Sequence, residues 1–235
     1  MIRASIAMAV YNGEKYLEEQ IDSILSMMGS KDELVISYNE SSDKTLDIIK
    51  KYEQNDIRVH VYFDEGNSVE TNFNNAVNNC KGEYIFLSDQ DDVWINDKIN
   101  TIVSYMKKDH SIGVVISDGY IVDEHLNIKK ESIYKELKTN VSPLLNWIKG
   151  SYLGCQMAFS REIKSKIWPV AIENPPLAHD LWLGVIGSKY GKVVMISEHL
   201  LMHRLHGDNC SNGRKMSMIQ MIKNRIIFLK HYLKS

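Results

Sequence analysis

The chain has 235 residues, 44% hydrophobic and 25% charged, which suits one domain with a full core, or such a domain with a small appendage. Six of its 28 basic residues lie from Arg214 onward with no acid among them, so the body holds 22 basic against 30 acidic residues, a balance that excludes a nucleic-acid footprint. Cys80, Cys155 and Cys210 are scattered without metal-finger spacing, which points to free thiols in a reducing compartment, and no apolar run reaches the ~20 residues that span a bilayer.

Met1-Ile2-Arg3 passes directly into a strand-like segment with no leader pattern, the expectation for a cytoplasmic protein. Ala4 to Val10 reads as the first strand, Tyr11-Asn12-Gly13 as a turn, and Glu14 as the start of a helix with Tyr16, Leu17, Ile21, Ile24, Leu25 and Met28 on its buried face. Leu34 to Ser37 is a second strand, and Ser41 or Ser42 is placed to cap a helix carrying Leu46, Ile48, Ile49 and Tyr52 inward. Val59 to Phe63, a helix from Ser68 through Val77, and the strand Tyr84 to Ser88 continue the alternation. Strands alternating with helices predict an α/β fold with a mostly parallel central sheet flanked by helices. Beyond Lys98 the pattern is a less regular α+β. A helix near Ile99 to Met106 precedes a strand from Ile112 to Ser117 and a hairpin-like stretch to His125. Pro143 to Ile148 reads as a helix and Leu153 to Phe159 as extended; a further helix begins near Asp180, and Val193 to Ile196 and Leu200 to Arg204 read as two strands.

One junction stands out. The apolar segment Tyr84 to Ser88 ends in Asp89-Gln90-Asp91-Asp92, three carboxylates within four residues. Like charges this close repel, so a positive group belongs among them, and a hard divalent cation with oxygen ligands is the natural candidate. In an open α/β sheet, ligands gather beyond the carboxyl ends of the strands, where this cluster falls. A solvated acidic turn is the plainer alternative.

Taken in order, Ser5 to Leu17, Asn72-Phe73 before Gly82, Ser88 to Trp94, Gly154 to Phe159, His179-Asp180-Leu181-Trp182 and Arg204 to Asn209 resemble the family 2 glycosyltransferases, which have the GT-A (nucleotide-diphospho-sugar transferase) fold. Each motif is weak alone; the ordered set, over roughly residues 4 to 210, is specific. The branch it is most similar to includes bacterial sugar and rhamnosyl transferases of surface polysaccharides. The resemblance implies one domain over 1–213, with a nucleotide-sugar half to about 97 and an acceptor half from about 98. It implies an inverting transferase with a Mn²⁺ or Mg²⁺ ion on the diphosphate of a UDP- or dTDP-linked sugar, working on a saccharide or lipid-linked saccharide acceptor.

The site residues follow from the same resemblance. Asp91 and His206 become metal ligands, and Ala9, Tyr11, Asn39, Asp89 and Arg204 line the donor, with pairing to a surface acid as the plainer role of Arg204. Asp180 becomes the general base: metal-assisted departure of a diphosphate leaves one carboxylate to take the acceptor proton, where a hydrolase needs a flanking pair. Its plainer role is a helix N-cap or first-turn carboxylate. Gly154, His179 and Trp182 fall on the acceptor side, although a tryptophan at helical spacing is more often core than a sugar platform. One position departs from the family: Tyr38-Asn39-Glu40 stands where two acids and a glycine usually read the base, and Asn39 lacks the charge that strengthens such a bond. That departure motivates a rival reading, a non-catalytic sugar- or nucleotide-binding module. A nucleotidyltransferase is a weaker rival, because Tyr11-Asn12-Gly13-Glu14 makes a poor phosphate loop.

From 214 to 235 the sequence reads as a basic amphipathic helix, with Ile219, Ile222, Ile226, Leu229 and Leu233 as a stripe beside Lys223, Lys230 and Lys234. Such a stripe suits packing on its own domain, a homo-oligomer contact, or peripheral attachment at the inner face of the membrane.

Overall fold

The computed structural model describes residues 1–66, 68–171, 177–207 and 218–234; Asp208, Asn209, Cys210, Arg214 and Lys215 of the sequence reading lie outside the described residues. Four strands form the parallel part: β1 (Ala4–Val10), β2 (Asp32–Tyr38), β3 (Val59–Phe63) and β4 (Tyr84–Ser88). Between them run α1 (Leu17–Leu25), α2 (Thr45–Asn55) and α3 (Val69–Asn79). The alternation of side chains sorts each apolar strand onto two faces. Ile6, Met8, Ile36 and Phe86 join α1 in one core layer, while Ala7, Val35, Ile85 and Leu87 join α3 in the other. Burial on both faces is why these strands read as unbroken apolar runs.

The second half adds β5 (Val93–Trp94), α4 (Lys98–Lys108), β6 (Ile112–Val122), β7 (Ile128–Lys130), α5 (Ile133–Leu137), α6 (Pro143–Lys149), β8 (Met157–Ser160), α7 (Arg161–Ile167), α8 (His179–Gly187), β9 (Lys192–Arg204) and α9 (Met218–Lys234). The sheet order among the described residues is β3-β2-β1-β4-β8-β6-β9-β5, with β7 on β6. One sheet therefore runs without interruption across the division expected near residue 97. β8 is antiparallel to both β4 and β6, so β6 and its parallel partner β9 run in the same direction as β1 to β4, and β8 is a reversed strand within a mostly parallel sheet.

Several boundaries differ from the sequence reading. The two strands expected over 193–196 and 200–204 are one strand, β9, because Ser197-Glu198-His199 interrupts the apolar pattern but not the pairing with β6, whose register shifts between Ser117 and Asp118. The first helix begins at Leu17 rather than Glu14. Neither Ser41 nor Ser42 caps α2; the N-cap is Lys44, and Asp43 instead accepts from the Thr45 N–H. Helices α5 and α7 were not anticipated: at five and seven residues they are too short to show a helical period.

The register decides where ligands can sit. Val10 pairs with Tyr38, Tyr38 with Phe63, and Met8 with Ser88. Tyr11, Asn39, Asp64 and Asp89 consequently leave the sheet along one edge, at the carboxyl ends of four adjacent parallel strands.

The C-terminal helix packs on its own domain, by a different face from the one expected. Phe228 is buried against Trp182, Trp147 Nε1 donates to the Arg225 carbonyl at 3.2 Å, and Lys189 Nζ reaches the Tyr232 carbonyl at 2.7 Å. The stripe from Ile219 to Leu233 faces outward, 41% to 74% exposed. Periodicity found a genuine apolar stripe; which stripe docks is decided by the aromatic surface of α6 and α8. Removing the buried ring in Phe228→Ala should cost about 3 kcal/mol locally. The expected result is that amides of 218–234 lose hydrogen-exchange protection while those of β1 and β4 keep theirs.

Candidate active site

Two short segments meet beyond the carboxyl end of β4: Asp89 to Asp92, and the end of β9 with His203, Arg204 and His206. Asp91 and Asp92 point to opposite sides. Outward, His206 Nε2 lies 2.9 Å from Asp91 Oδ2, with the two side chains 10% and 14% exposed. Inward, the fully buried Asp92 accepts from His203 Nδ1 at 2.9 Å and from the Arg204 N–H at 3.1 Å. The same Asp92, His203 and the thiol of Cys155 have ligand atoms within 4.8 Å of one another.

These two clusters suit different chemistry. The Asp91 carboxylate and the His206 imidazole bring one oxygen and one nitrogen donor together at an accessible strand edge, a donor set that fits Mn²⁺ or Mg²⁺. In the inner cluster Asp92 and Cys155 are fully buried, and burial beside Asp92 and Asp89 holds the Cys155 thiol well above its usual range, so it stays protonated. His203 is already committed to Asp92. The inner cluster is a hydrogen-bonded clamp, and the outer pair is the better cation site.

The protein also supplies its own positive charge. Lys98 is fully buried, donates from Nζ to the Cys155 carbonyl at 2.5 Å and lies 4.4 Å over the Trp94 ring. Burial pushes its pKa down to about 8, against the pull of the nearby acids. Burial and the adjacent Asp92 and Asp91 raise Asp89 to about 7; burial likewise raises Asp91. Lys98 and His203 were missed in the sequence. A lysine in the first turn of a helix reads as solvated, and only its complete burial reveals it.

Arg204 requires a correction. It was expected to hold donor phosphate, but it is a buried brace. Its Nε donates to the Asp91 carbonyl at 2.9 Å and its two terminal nitrogens to the Glu124 carbonyl at 2.7 Å and Glu19 Oε2 at 2.5 Å, while its plane lies 4.4 Å over Tyr16. Each of its nitrogens is engaged within the protein and the side chain is only 2% exposed, so burial keeps it from a phosphate. Tyr16 also meets the His206 ring, centroids 4.7 Å apart, so the brace and the outer pair share one aromatic wall.

At the other end of the edge, Ala9 is half-buried on β1 and Tyr11 is 57% exposed. The Gln90 side chain grips the Tyr11 backbone in both directions, at 2.9 and 2.8 Å. The next three N–H groups donate to Ser41 Oγ, Thr45 Oγ1 and Asp43 Oδ2. All four amides after β1 are thus committed within the protein, and none is left to cradle a phosphate as a nucleotidyltransferase loop would. Asn39 is buried, and its Nδ2 donates to Asp64 Oδ2 at 2.9 Å and the Gly66 carbonyl at 2.8 Å. The acid missing at Asn39 therefore reappears beside it, on the end of β3.

Asp180 and His179 open α8. Ala178 is the N-cap residue, so Asp180 is not the cap; it lies in the first turn and accepts from the Leu181 N–H at 2.5 Å. Burial, with Glu70 adding to it, pushes Asp180 up to about 6. His179 lies on the Phe73 ring, centroids 4.1 Å apart, and burial lowers it to about 4, so it is neutral. Gly154 explains the approach: a Cβ there would meet His179 Nε2 at 2.5 Å. Gly154 touches His179 while Cys155 touches Lys98 and His203, which links the Asp180 side to the acidic strand end. Trp182, expected on the acceptor side, offers no face to a sugar. It is buried, donates to the Ile167 carbonyl at 2.8 Å, and packs on Phe228 and His231.

Residues 5–168 match the model of the Glycosyl transferase family 2, and the chain belongs to that family. It is 31% identical over 208 residues to an uncharacterized glycosyltransferase of Methanocaldococcus jannaschii, covering 86% of this chain and 70% of that protein. It is 24% identical over 220 residues to TuaG of Bacillus subtilis, assigned to teichuronic acid biosynthesis, covering 89% of this chain and 82% of that protein. Among solved structures, TarS of S. aureus in complex with UDP-GlcNAc superposes with a TM-score of 0.71 at 16% identity, over 97% of this chain and 66% of that one. The mannosyltransferase PcManGT of Pyrobaculum calidifontis, in complex with GDP-Man and Mn²⁺, gives 0.69 at 14% identity, over 99% and 64%. The fold is GT-A.

Gly154→Ala must displace either its own backbone or the His179 ring. A destabilisation of about 1–3 kcal/mol is expected in urea titrations, whereas Gly207→Ala, where a Cβ meets nothing within 4 Å among the described residues, should leave the midpoint unchanged.

Proposed function

We propose that this family 2 member is an inverting, metal-dependent glycosyltransferase. It moves a hexosyl or rhamnosyl unit from a nucleotide-diphosphate sugar to a hydroxyl of a saccharide or lipid-linked saccharide in polysaccharide or glycoconjugate assembly. The observation that carries this reading is the meeting of Asp91 with His206, 115 positions apart in the chain, at the strand edge where Tyr11, Asn39 and Asp64 also end. Similarity to TuaG supports polysaccharide assembly, and the nucleotide sugars bound by TarS and PcManGT support the donor class.

In this account Asp91 and His206 hold the divalent ion, which when bound offsets charge on the departing diphosphate. The base of the nucleotide lies toward Tyr11 and Asn39. Asp64, oriented by Asn39 Nδ2, presents the carboxylate that accepts from a base N–H. Asp180 takes the proton of the acceptor hydroxyl as its oxygen bonds to the anomeric carbon and the bond from that carbon to the diphosphate oxygen breaks. With its carboxyl near 6, Asp180 is ionised at neutral pH yet basic enough to receive that proton. Neutral His179 and Gly154 shape the wall beside it.

Turnover of a nucleotide sugar measured across pH should rise as Asp180 ionises through about 6 and fall below it. Asp180→Asn should lose about 10²–10⁴-fold in kcat and the acidic limb with it, while still binding donor. Asp91→Ala should lose on the order of 10²-fold or more, and excess Mn²⁺ should not restore it. Full activity in either variant would remove that residue from its role. Donor binding by the parent protein without any turnover would favour a non-catalytic binding module.

A further inference from the structure

The outward stripe of α9 is not alone. Leu144, Leu145 and Ile148 of α6 are 62%, 54% and 59% exposed, although α6 packs on the domain through Asn146 and Trp147. The two helices touch. Trp147 donates to the Arg225 carbonyl, and Arg225 donates in return to the Ile148 carbonyl at 3.2 Å. That contact joins the end of α6 to the turn of α9 that also carries Ile222 and Ile226, themselves 54% and 51% exposed. Apolar residues grouped in this way on a surface mark an interaction site rather than scattered exposure.

The charge along both segments is of one sign. Residues 137–151 contain Lys138 and Lys149 and no acid; residues 218–234 contain Lys223, Arg225, Lys230 and Lys234 and no acid. Lys149, Lys223, Lys230 and Lys234 are exposed. A second copy docked face to face would set lysines against lysines, an arrangement that like charges disfavour. An anionic lipid surface instead matches both features at once. Apolar side chains enter the acyl boundary while lysine stems let their ammonium groups reach the headgroups. No helix among the described residues is long and apolar enough to cross a membrane, so contact would be by lying on the surface.

We infer that the joint face of α6 and α9 is a docking surface for an anionic lipid bilayer. It is carried by the exposed leucines and isoleucines of two touching helices and by the exposed lysines of the two acid-free segments that contain them. This inference stands apart from the catalytic reading, because none of its residues belongs to the Asp91, His206 or Asp180 groups.

The test is co-sedimentation of the full chain with phosphatidylcholine vesicles, with and without phosphatidylglycerol, at low and high salt. The parent protein is expected to bind the phosphatidylglycerol vesicles and to release as salt rises. Ile222→Glu with Ile226→Glu should weaken binding about tenfold or more, and Leu145→Glu alone should weaken it as well. Lys223→Gln with Lys230→Gln should remove the preference for phosphatidylglycerol. All of these sites are exposed, so each variant should melt with the parent. Absence of vesicle binding by the parent, or undiminished binding by the glutamate variants, would overturn the inference. So would a solution dimer of the parent that the same variants dissociate, since the occupant would then be a second copy.

Discussion

The structure around the site depends on one buried carboxylate. Asp92 accepts from the His203 ring and from the Arg204 backbone, and so fixes the turn after β4 to the end of β9. Asp91 beside it in sequence, and His206 two residues beyond Arg204, are brought together as a consequence. Arg204 extends the clamp in three further directions, to the Asp91 carbonyl, to the Glu124 carbonyl and to Glu19. Charges this deeply buried persist only when paired and hydrogen-bonded, and removing one partner typically costs about 3–5 kcal/mol. The acidic strand end is therefore a joint as much as a ligand site.

That dual role changes the electrostatic argument. Three carboxylates in four residues call for positive charge, and the protein answers part of the demand with Lys98, His203 and Arg204. The crowding of acids alone is thus weak evidence for a metal. The stronger evidence is the separation of roles: Asp92 faces inward to a protonated partner set, while Asp91 faces the strand edge with His206. A similar division appears at Asn39, whose amide is used to orient Asp64. Asn39, just beyond β2, lacks the acid that the resemblance leads one to expect there, while the Asp64 carboxylate, just beyond β3, lies 2.9 Å from its amide.

Most of the parallel half was legible in the sequence. β1 to β4 are short apolar runs buried on both faces, and such runs announce themselves without tertiary information. Asp91, His206 and Asp180 were legible only as motifs; what brings His206 onto Asp91 is the pairing of β9 with β6 and β5, which no local pattern encodes. Arg204 and Trp182 were placed at ligands by the family resemblance, and the structure uses them in the plainer ways their residue types also allow, Arg204 paired with Glu19 and Trp182 in the core. Lys98 was invisible for the opposite reason, since a lysine at a helix start is ordinarily solvated. The tail illustrates the limit of periodicity: Ile219 to Leu233 form the more regular stripe, but Phe228 has the surface that fits Trp182.

The central claim is that the edge formed by Tyr11, Asn39, Asp64, Asp91 and His206 holds a nucleoside diphosphate through a divalent ion. Isothermal titration of the protein with uridine, thymidine and guanosine diphosphates, with and without Mn²⁺, tests it most directly. The account predicts Mn²⁺-dependent binding of uridine or thymidine diphosphate in preference to guanosine diphosphate, with the preference between bases lost in Asp64→Asn and the Mn²⁺ dependence lost in Asp91→Ala. Binding of none of the three, or binding indifferent to both Mn²⁺ and Asp91, would contradict it.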